Sequence, residues 1–111
     1  MLTRQNGSVP LQSAATTTAT GSWIKCYGPA QAFQCVANGT SGAFSATVVI
    51  EASNDGTTAV GTVLGTIVMS GTATTANSDG FSTISSPWAW IRARVTAISG
   101  TDASVSTWMA T

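Results

Sequence analysis

The chain has 111 residues and a formal net charge of zero, with four basic residues, four acidic residues and no histidine. So few basic residues exclude the phosphate contacts on which nucleic-acid binding depends, and the lack of histidine excludes a Ser-His-Asp triad. No apolar run approaches the roughly 18 residues that a membrane span requires, so we expect neither a membrane partner nor an enzyme.

Residues 1–20 are expected to form an extended N-terminal arm, followed by a single domain over residues 21–111. Gly7 and Pro10 interrupt regular structure, and residues 14–20 are a low-complexity run of alanine and threonine. Such a segment is either a disordered terminus or an extended strand that is added to its own sheet or to a neighbour's. The β-branched threonines suit a strand.

Two short strands are expected next, at residues 22–27 and 31–37, on either side of a Gly-Pro turn. Each carries one of the two cysteines of the chain, Cys26 and Cys35. If the two strands pair as a hairpin, the cysteines are close enough for a disulfide. Two buried free thiols are an equally good interpretation. Two cysteines without histidine do not make a zinc site, which needs four ligands.

The clearest strand is expected at residues 43–52, followed by a tight turn at 54–56 and another strand at 60–70. Alternate residues of the first strand are apolar, which is typical of a strand with one buried face. The face expected in the core comprises Phe44, Ala46, Val48, Ile50 and Ala52. The Asn-Asp-Gly sequence is a strong turn signal. Gly61 and Gly65 are expected at a bulge or a close approach of another group.

The second half of the chain is expected to contain a polar loop at 71–79 and strands at 80–84, 88–99 and 103–110. In the long strand, the expected core face comprises Ala89, Ile91, Ala93, Val95 and Ala97. About seven strands, with turn signals roughly every 8–12 residues, predict an all-β protein. The expected fold is a compact antiparallel β-sandwich, jelly-roll or immunoglobulin-like, with the N-terminal arm outside it.

The other face of the long strand is the best candidate for a functional surface. It presents Trp88, Trp90, Arg92 and Arg94 in one row. Tryptophan and arginine are enriched at interface hot spots, so we predict a protein interface there. Two alternatives stay open: the arm or a loop of the same chain covers this face, or the register is inverted and the tryptophans lie in the core. Trp23 and Trp108 fit either position, on the exposed face or in the core.

The four carboxylates do not form a metal site. Glu51, Asp55, Asp79 and Asp102 are scattered, and three of them lie at or near turns, where aspartate commonly supports the backbone. A calcium site gathers several oxygen ligands within a short stretch. We therefore expect no metal, no cofactor and no catalytic residue.

Composition favours a subunit of an assembly. Alanine, glycine, serine and threonine make up 61 of the 111 residues, which predicts a hydroxyl-covered, almost uncharged surface of the kind found outside cells. The near-zero charge also removes the repulsion that keeps monomers apart. The first ten residues lack the apolar segment of a secretory signal. A virion protein, made in the host cytoplasm and released by lysis, satisfies both observations; a mature secreted protein without its signal remains the alternative.

The part of the chain from Val48 to Met109 resembles the small β-sandwich structural proteins of tailed bacteriophages. The segments that carry the resemblance are IEASNDG at 50–56, LGTI at 64–67, SGT at 70–72, SDGF at 78–81 and PWAWIRARVTAISGT at 87–101. The resemblance implies a virion component, such as a capsid decoration (cement) protein or a head–tail or tail accessory protein, and it brings no catalytic residues.

The function expected from these arguments is that of a non-enzymatic decoration protein that binds a capsid lattice and stabilises it. Its partners would be the major capsid protein or other virion subunits, and the protein itself is expected to form a homo-oligomer. The alternatives are a secreted carbohydrate-binding or adhesive module, in which exposed tryptophans stack on sugar rings, and a tail or receptor-binding accessory protein.

Overall fold

The computed structural model describes residues 8–26, 31–72, 77–83 and 88–110. These residues form nine strands and no helix, where the sequence predicts about seven strands. The strands are β1 (Ser8–Ala15), β2 (Ala19–Thr20), β3 (Ile24–Lys25), β4 (Gln31–Asn38), β5 (Ser41–Ser53), β6 (Thr62–Thr72), β7 (Asn77–Thr83), β8 (Trp90–Thr101) and β9 (Ser104–Ala110).

The strands form two antiparallel sheets. The four-stranded sheet has the order β1-β9-β4-β7, and the five-stranded sheet has the order β2-β8-β5-β6, with β3 also paired to β8. β2 pairs at Val95 and Arg94 of β8, whereas β3 pairs at Ile91 and Trp90. The two short strands therefore follow one another along the same edge of β8.

A single apolar core lies between the two sheets. The five-stranded sheet contributes Phe44, Ala46, Val48, Ile50, Ala52, Ile67, Met69, Ile91, Ala93 and Val95. The four-stranded sheet contributes Leu11, Phe33, Cys35, Ala37, Val105 and Met109. The predicted core face of β5 is fully confirmed, because alternate side chains of a pleated strand point to opposite faces. The expectation of an all-β protein with antiparallel sheets is also confirmed.

The core face predicted for β8 is observed only as far as Val95. Val48 and Thr47 are neighbours on β5, but they pair with Val95 and Ala97, so Thr96 is an extra residue in β8. Such a bulge reverses the alternation beyond it. Ala97 is consequently exposed, contrary to the sequence prediction, and Ile98 packs against the core instead.

β6 has a bulge beside Gly65, one of the two features expected at Gly61 and Gly65. Ile50 and Glu51 pair with Gly65 and Val63, which leaves Leu64 unpaired. A Cβ atom on Gly65 would lie 2.7 Å from the ring of Phe81, so a side chain at this position would require the ring to move.

Residues 8–20, part of the segment expected to form an arm, lie within the two sheets. β1 is the edge strand beside β9, and β2 pairs with β8. The amide Nε2 of Gln12 and the backbone N–H of Gly21 both donate to the carbonyl oxygen of Ala93, each at 2.9 Å. These hydrogen bonds hold the segment that passes from β1 in one sheet to β2 in the other against β8. Residues 1–7 lie outside the described part of the chain.

Candidate binding surfaces

The outer face of the five-stranded sheet holds a buried ion pair. Glu51 is 1% exposed, and its Oε1 accepts a hydrogen bond from Nε of Arg92 at 2.9 Å. Nη2 of Arg92 also donates to the carbonyl oxygen of Ala59 at 2.6 Å. Ala59 belongs to the loop of residues 54–61 that joins β5 to β6. The loop therefore covers the ion pair, and it supplies a hydrogen-bond acceptor for the Arg92 guanidinium that the strands alone do not provide.

Trp23 and the same loop enclose Arg92 from the other side. The guanidinium carbon of Arg92 lies 4.3 Å from the centre of the Trp23 ring, a distance at which the cation is attracted to the aromatic face. The indole Nε1 of Trp23 donates to the carbonyl oxygen of Thr58 at 3.2 Å. Gly61 lets the ring approach, because a Cβ atom there would lie 2.7 Å from it. Arg92 is therefore held by contacts within its own chain.

Trp90 is half-buried under the first turn of the loop. A Cβ atom on Gly56 would lie 2.6 Å from the indole ring of Trp90, and Gly56 has a φ of +70°. Both observations require glycine at this position. The centre of the same ring lies 5.3 Å from Nζ of Lys25. The predicted Asn-Asp-Gly turn thus serves as the cover of Trp90.

Asp55 holds the turn in shape. Its Oδ1 accepts hydrogen bonds from the backbone N–H groups of Thr57 and Thr58, at 2.9 and 3.0 Å, and from the hydroxyl of Ser53 at 2.8 Å. The bonds from Thr57, Ser53 and Thr58 lower the pKa of Asp55 below its usual value, because they stabilise the ionised carboxylate.

Arg94 is the open member of the predicted row. Its side chain is 40% exposed, and its Nε lies 3.4 Å from Oε1 of Glu51 without the alignment of a hydrogen bond. Its Nη2 donates to Oε2 at 3.4 Å, the long end of the hydrogen-bond range. The carboxylate of Glu51 therefore faces two guanidinium groups. Beside Arg94 lies a groove of about 370 Å³, whose lining includes the hydroxyl-bearing Thr18, Thr20 and Thr96.

The predicted row is thus divided by the structure. Trp88 precedes the strand and packs against the core, Trp90 and Arg92 are covered by the chain's own loop, and Arg94 alone presents an open guanidinium. For Trp90 and Arg92 the observed arrangement matches the alternative in which a loop of the same chain covers the face. An interface at these four residues stays a prediction.

The outer face of the four-stranded sheet is neutral and carries Trp108. The indole is half-buried and lies between Pro10 of β1 and Gln34 of β4. The four strands contain one charged residue, Asp79, which pairs with Cys35, a residue of the inner face. An open groove of about 510 Å³ surrounds the indole and is lined by Ala32, Phe33, Gln34, Val36, Trp108 and Ala110. The sequence indicates that Trp108 points away from Val105 and Met109, but not that its surroundings are uncharged.

The two cysteines are buried free thiols. The hairpin that would join them is not formed, because β3 pairs with β8 while β4 pairs with β7 and β9. The thiol of Cys26 lies 3.6 Å from the sulfur of Met109, and the thiol of Cys35 lies 3.1 Å from the hydroxyl of Thr107. Burial raises the pKa of both thiols, which disfavours the reactive thiolate.

Within residues 8–26, 31–72, 77–83 and 88–110, no three histidine, cysteine or carboxylate side chains gather where they could hold a metal ion. The same residues contain no helix of the length and apolarity needed to span a membrane.

Comparison with known proteins assigns no family. No protein-family model matches the chain, and no curated protein or solved structure matches it.

Proposed function

We propose that this protein is a non-enzymatic structural protein of a virus particle, most specifically a decoration or cement protein that binds a capsid lattice and stabilises it. The major capsid protein or another virion subunit would be its partner, and many weakly bound copies would act together through avidity.

The observation that carries the proposal is the neutral outer face of the four-stranded sheet. A broad β-face built from small residues, with one aromatic side chain at its centre, suits docking onto another protein. Half-exposed tryptophan is the residue type that most often anchors such contacts. Because this face carries no charge, it needs no desolvation of ionic groups when it is covered.

The strand order supports a finer description of the fold as a jelly-roll. If β2 and β3 are counted as one position, the chain has eight positions, and the first pairs with the last, the second with the seventh, the third with the sixth and the fourth with the fifth. This is the pairing of two Greek keys wound into a double sheet, an architecture common among viral capsid and lectin domains. The likeness is one of fold, and it supports the proposal only by analogy.

The proposal keeps an extended N-terminal arm as a second contact with the lattice. β1, the edge strand of the four-stranded sheet, would provide this contact by pairing with a strand of a neighbouring subunit.

A carbohydrate-binding module is the second candidate, because an exposed indole in a groove can stack on a sugar ring. Small-molecule sites also place several polar groups around the ligand. Among the described residues that line this groove, the polar groups are the amide of Gln34 and the indole N–H of Trp108. The lining therefore favours a protein partner.

Co-sedimentation with particles purified from the source of the protein tests the proposal. We expect saturable binding by the wild-type protein, a loss of at least about tenfold in affinity for Trp108→Ala, and unchanged binding for Val60→Ala. Val60 is a suitable control because it is exposed but lies in the loop of the other sheet.

Wild-type protein that stays in the supernatant at every particle concentration would overturn the proposal. In that case a glycan array decides whether the carbohydrate alternative holds, and binding that depends on Trp108 would support it.

A further inference from the structure

The large exposed apolar side chains of the described residues lie together at one sheet edge. They are Val60, Val63 and Val68, which are 79%, 54% and 63% exposed. Val63 and Val68 lie on β6, and Val60 immediately precedes it. Val68 is the one of the three that lies where β6 pairs in unbroken register with β5, and an exposed apolar residue on a flat edge strand favours pairing with another chain.

β6 is an edge strand without the usual protection against pairing. Its partner in the sheet is β5, and none of the other described strands bonds to its second edge. From Gly65 to Thr72, eight consecutive residues of β6 pair in register with β5, and the bulge lies only before Gly65. Residues 62–72 contain neither a charged residue nor proline, the devices by which edge strands avoid pairing with another chain.

The sequence of this edge is nearly palindromic in residue type. A second copy aligned antiparallel to it therefore places similar residues opposite one another. Residues 65–71 are Gly-Thr-Ile-Val-Met-Ser-Gly, and Val68 is the central residue. If a second copy is aligned antiparallel about Val68, glycine lies opposite glycine, threonine opposite serine, and isoleucine opposite methionine.

The burial of these residues agrees with that alignment. Ile67 and Met69 are buried in the core, whereas Thr66, Val68 and Ser70 are exposed. Directly opposed residues in an antiparallel pair share a face. The alignment therefore places buried Ile67 opposite buried Met69, and exposed Thr66 opposite exposed Ser70.

We propose that a second copy of this chain binds the free edge of β6, with the two strands antiparallel and the two-fold axis at Val68. The contact is isologous, because the same residues serve on both sides of the axis. It joins the two five-stranded sheets into one continuous sheet and covers Val68 with its symmetry mate. The inference goes beyond the proposed function, since the dimer forms in the purified protein without particles.

Disulfide trapping tests the register directly. At the two-fold axis, the Cα atoms of the two copies of residue 68 are about 4.5 to 5.5 Å apart, within the range that a disulfide spans. Val68→Cys should therefore form a covalent dimer under mild oxidation, as seen on a non-reducing gel.

Val63→Cys is the matched control, because residue 63 is also exposed on β6 but its symmetry mate lies about ten residues away, roughly 33 Å along the strand. The wild-type protein controls for Cys26 and Cys35. Equal cross-linking of Val68→Cys and Val63→Cys overturns the proposed register.

Sedimentation equilibrium tests the contact itself. The wild-type protein should be a dimer, and Val68→Lys should be a folded monomer because two ammonium groups would meet at the axis. Val60→Lys, with the same new charge outside the strand, should remain a dimer. A monomeric wild-type protein overturns the proposal and leaves the lattice proposal untouched, because particle binding is measured separately.

Discussion

Nε of Arg92 donates a hydrogen bond to Oε1 of Glu51 at 2.9 Å, and both side chains are buried although they lie on the outer face of their sheet. The two residues are 41 positions apart in the chain. The loop of residues 54–61 covers the pair, so this part of a face that looks exposed from strand alternation is buried.

Glu51→Gln should strongly destabilise the protein, because it leaves two guanidinium groups beside a neutral amide. Removal of one partner of a buried ion pair costs about 3–5 kcal/mol, and we expect a loss in this range in urea unfolding followed by tryptophan fluorescence. Arg94→Gln is the control. Its side chain is 40% exposed, so we expect a loss of at most about 1 kcal/mol. Equal losses for the two variants would contradict this account.

Trp90→Ala should reduce stability rather than particle binding, although the sequence alone places Trp90 at the interface. The variant removes the ring that packs on Gly56 and lies beside Lys25. Because the ring is half-buried, we expect a loss of about 2 kcal/mol, below the 3–5 kcal/mol of a fully buried tryptophan. Thermal unfolding measures the loss, and co-sedimentation at a temperature where the variant is folded should give wild-type affinity. Weakened binding by the folded variant would favour the predicted interface instead.

Asp55 should make stability depend on pH in the acid range. The hydrogen bonds from Thr57, Ser53 and Thr58 lower its folded-state pKa from 3.8, while the unfolded chain keeps the ordinary value. Its contribution is therefore present above about pH 4 and is lost as the pH falls through the lower, folded value. Unfolding midpoints measured from pH 6 to pH 2 should fall more steeply for the wild-type protein than for Asp55→Asn. Parallel curves would argue against an ionised Asp55 in the turn.

Ala14→Gly should stabilise the protein if β1 lies where the structure places it. Ala14 has a φ of +48°, a left-handed conformation that costs a residue with a Cβ atom about 1–2 kcal/mol. After the greater entropy of glycine in the unfolded chain is subtracted, a gain of up to about 1 kcal/mol remains. Ala43→Gly, at an exposed position of β5, should instead lose about 0.5–1 kcal/mol. Equal effects would mean that residue 14 is not held in this strand.

Cys26 and Cys35 should resist alkylation in the native protein. Both thiols are buried and their pKa values are raised, so less than about a tenth of either should react with iodoacetamide at pH 8 in the time that fully labels Val60→Cys, a position that is 79% exposed. Labelling should become complete in denaturant without a reducing agent. A requirement for reduction would show that the two cysteines are joined, which is the disulfide considered from the sequence.

Local patterns were sufficient for the all-β class and for the core face of β5. Alternation along β5 identified its core residues, because the period of two depends only on the pleat of a single strand. The Asn-Asp-Gly turn and the special role of Gly65 were also readable, since the turn needs a residue that adopts a positive φ and Gly65 is a position where a Cβ atom would meet another side chain. The same reasoning failed beyond Val95, where the bulge at Thr96 arises from pairing with β5 and has no signature within β8 itself.

By itself, then, the sequence determined the all-β class, the antiparallel strands and the core face of β5, all of which depend on neighbouring residues. Tertiary structure decided which outward-facing residues remain outside. It covered Trp90 and Arg92 and left Trp108 and Arg94 open. It also kept Cys26, which follows β3, apart from Cys35 on β4 of the other sheet, and it put β6 at an edge. The physical reason is that strand partners and loop positions are set by contacts between distant parts of the chain, and such contacts leave no periodic pattern in the residues that make them.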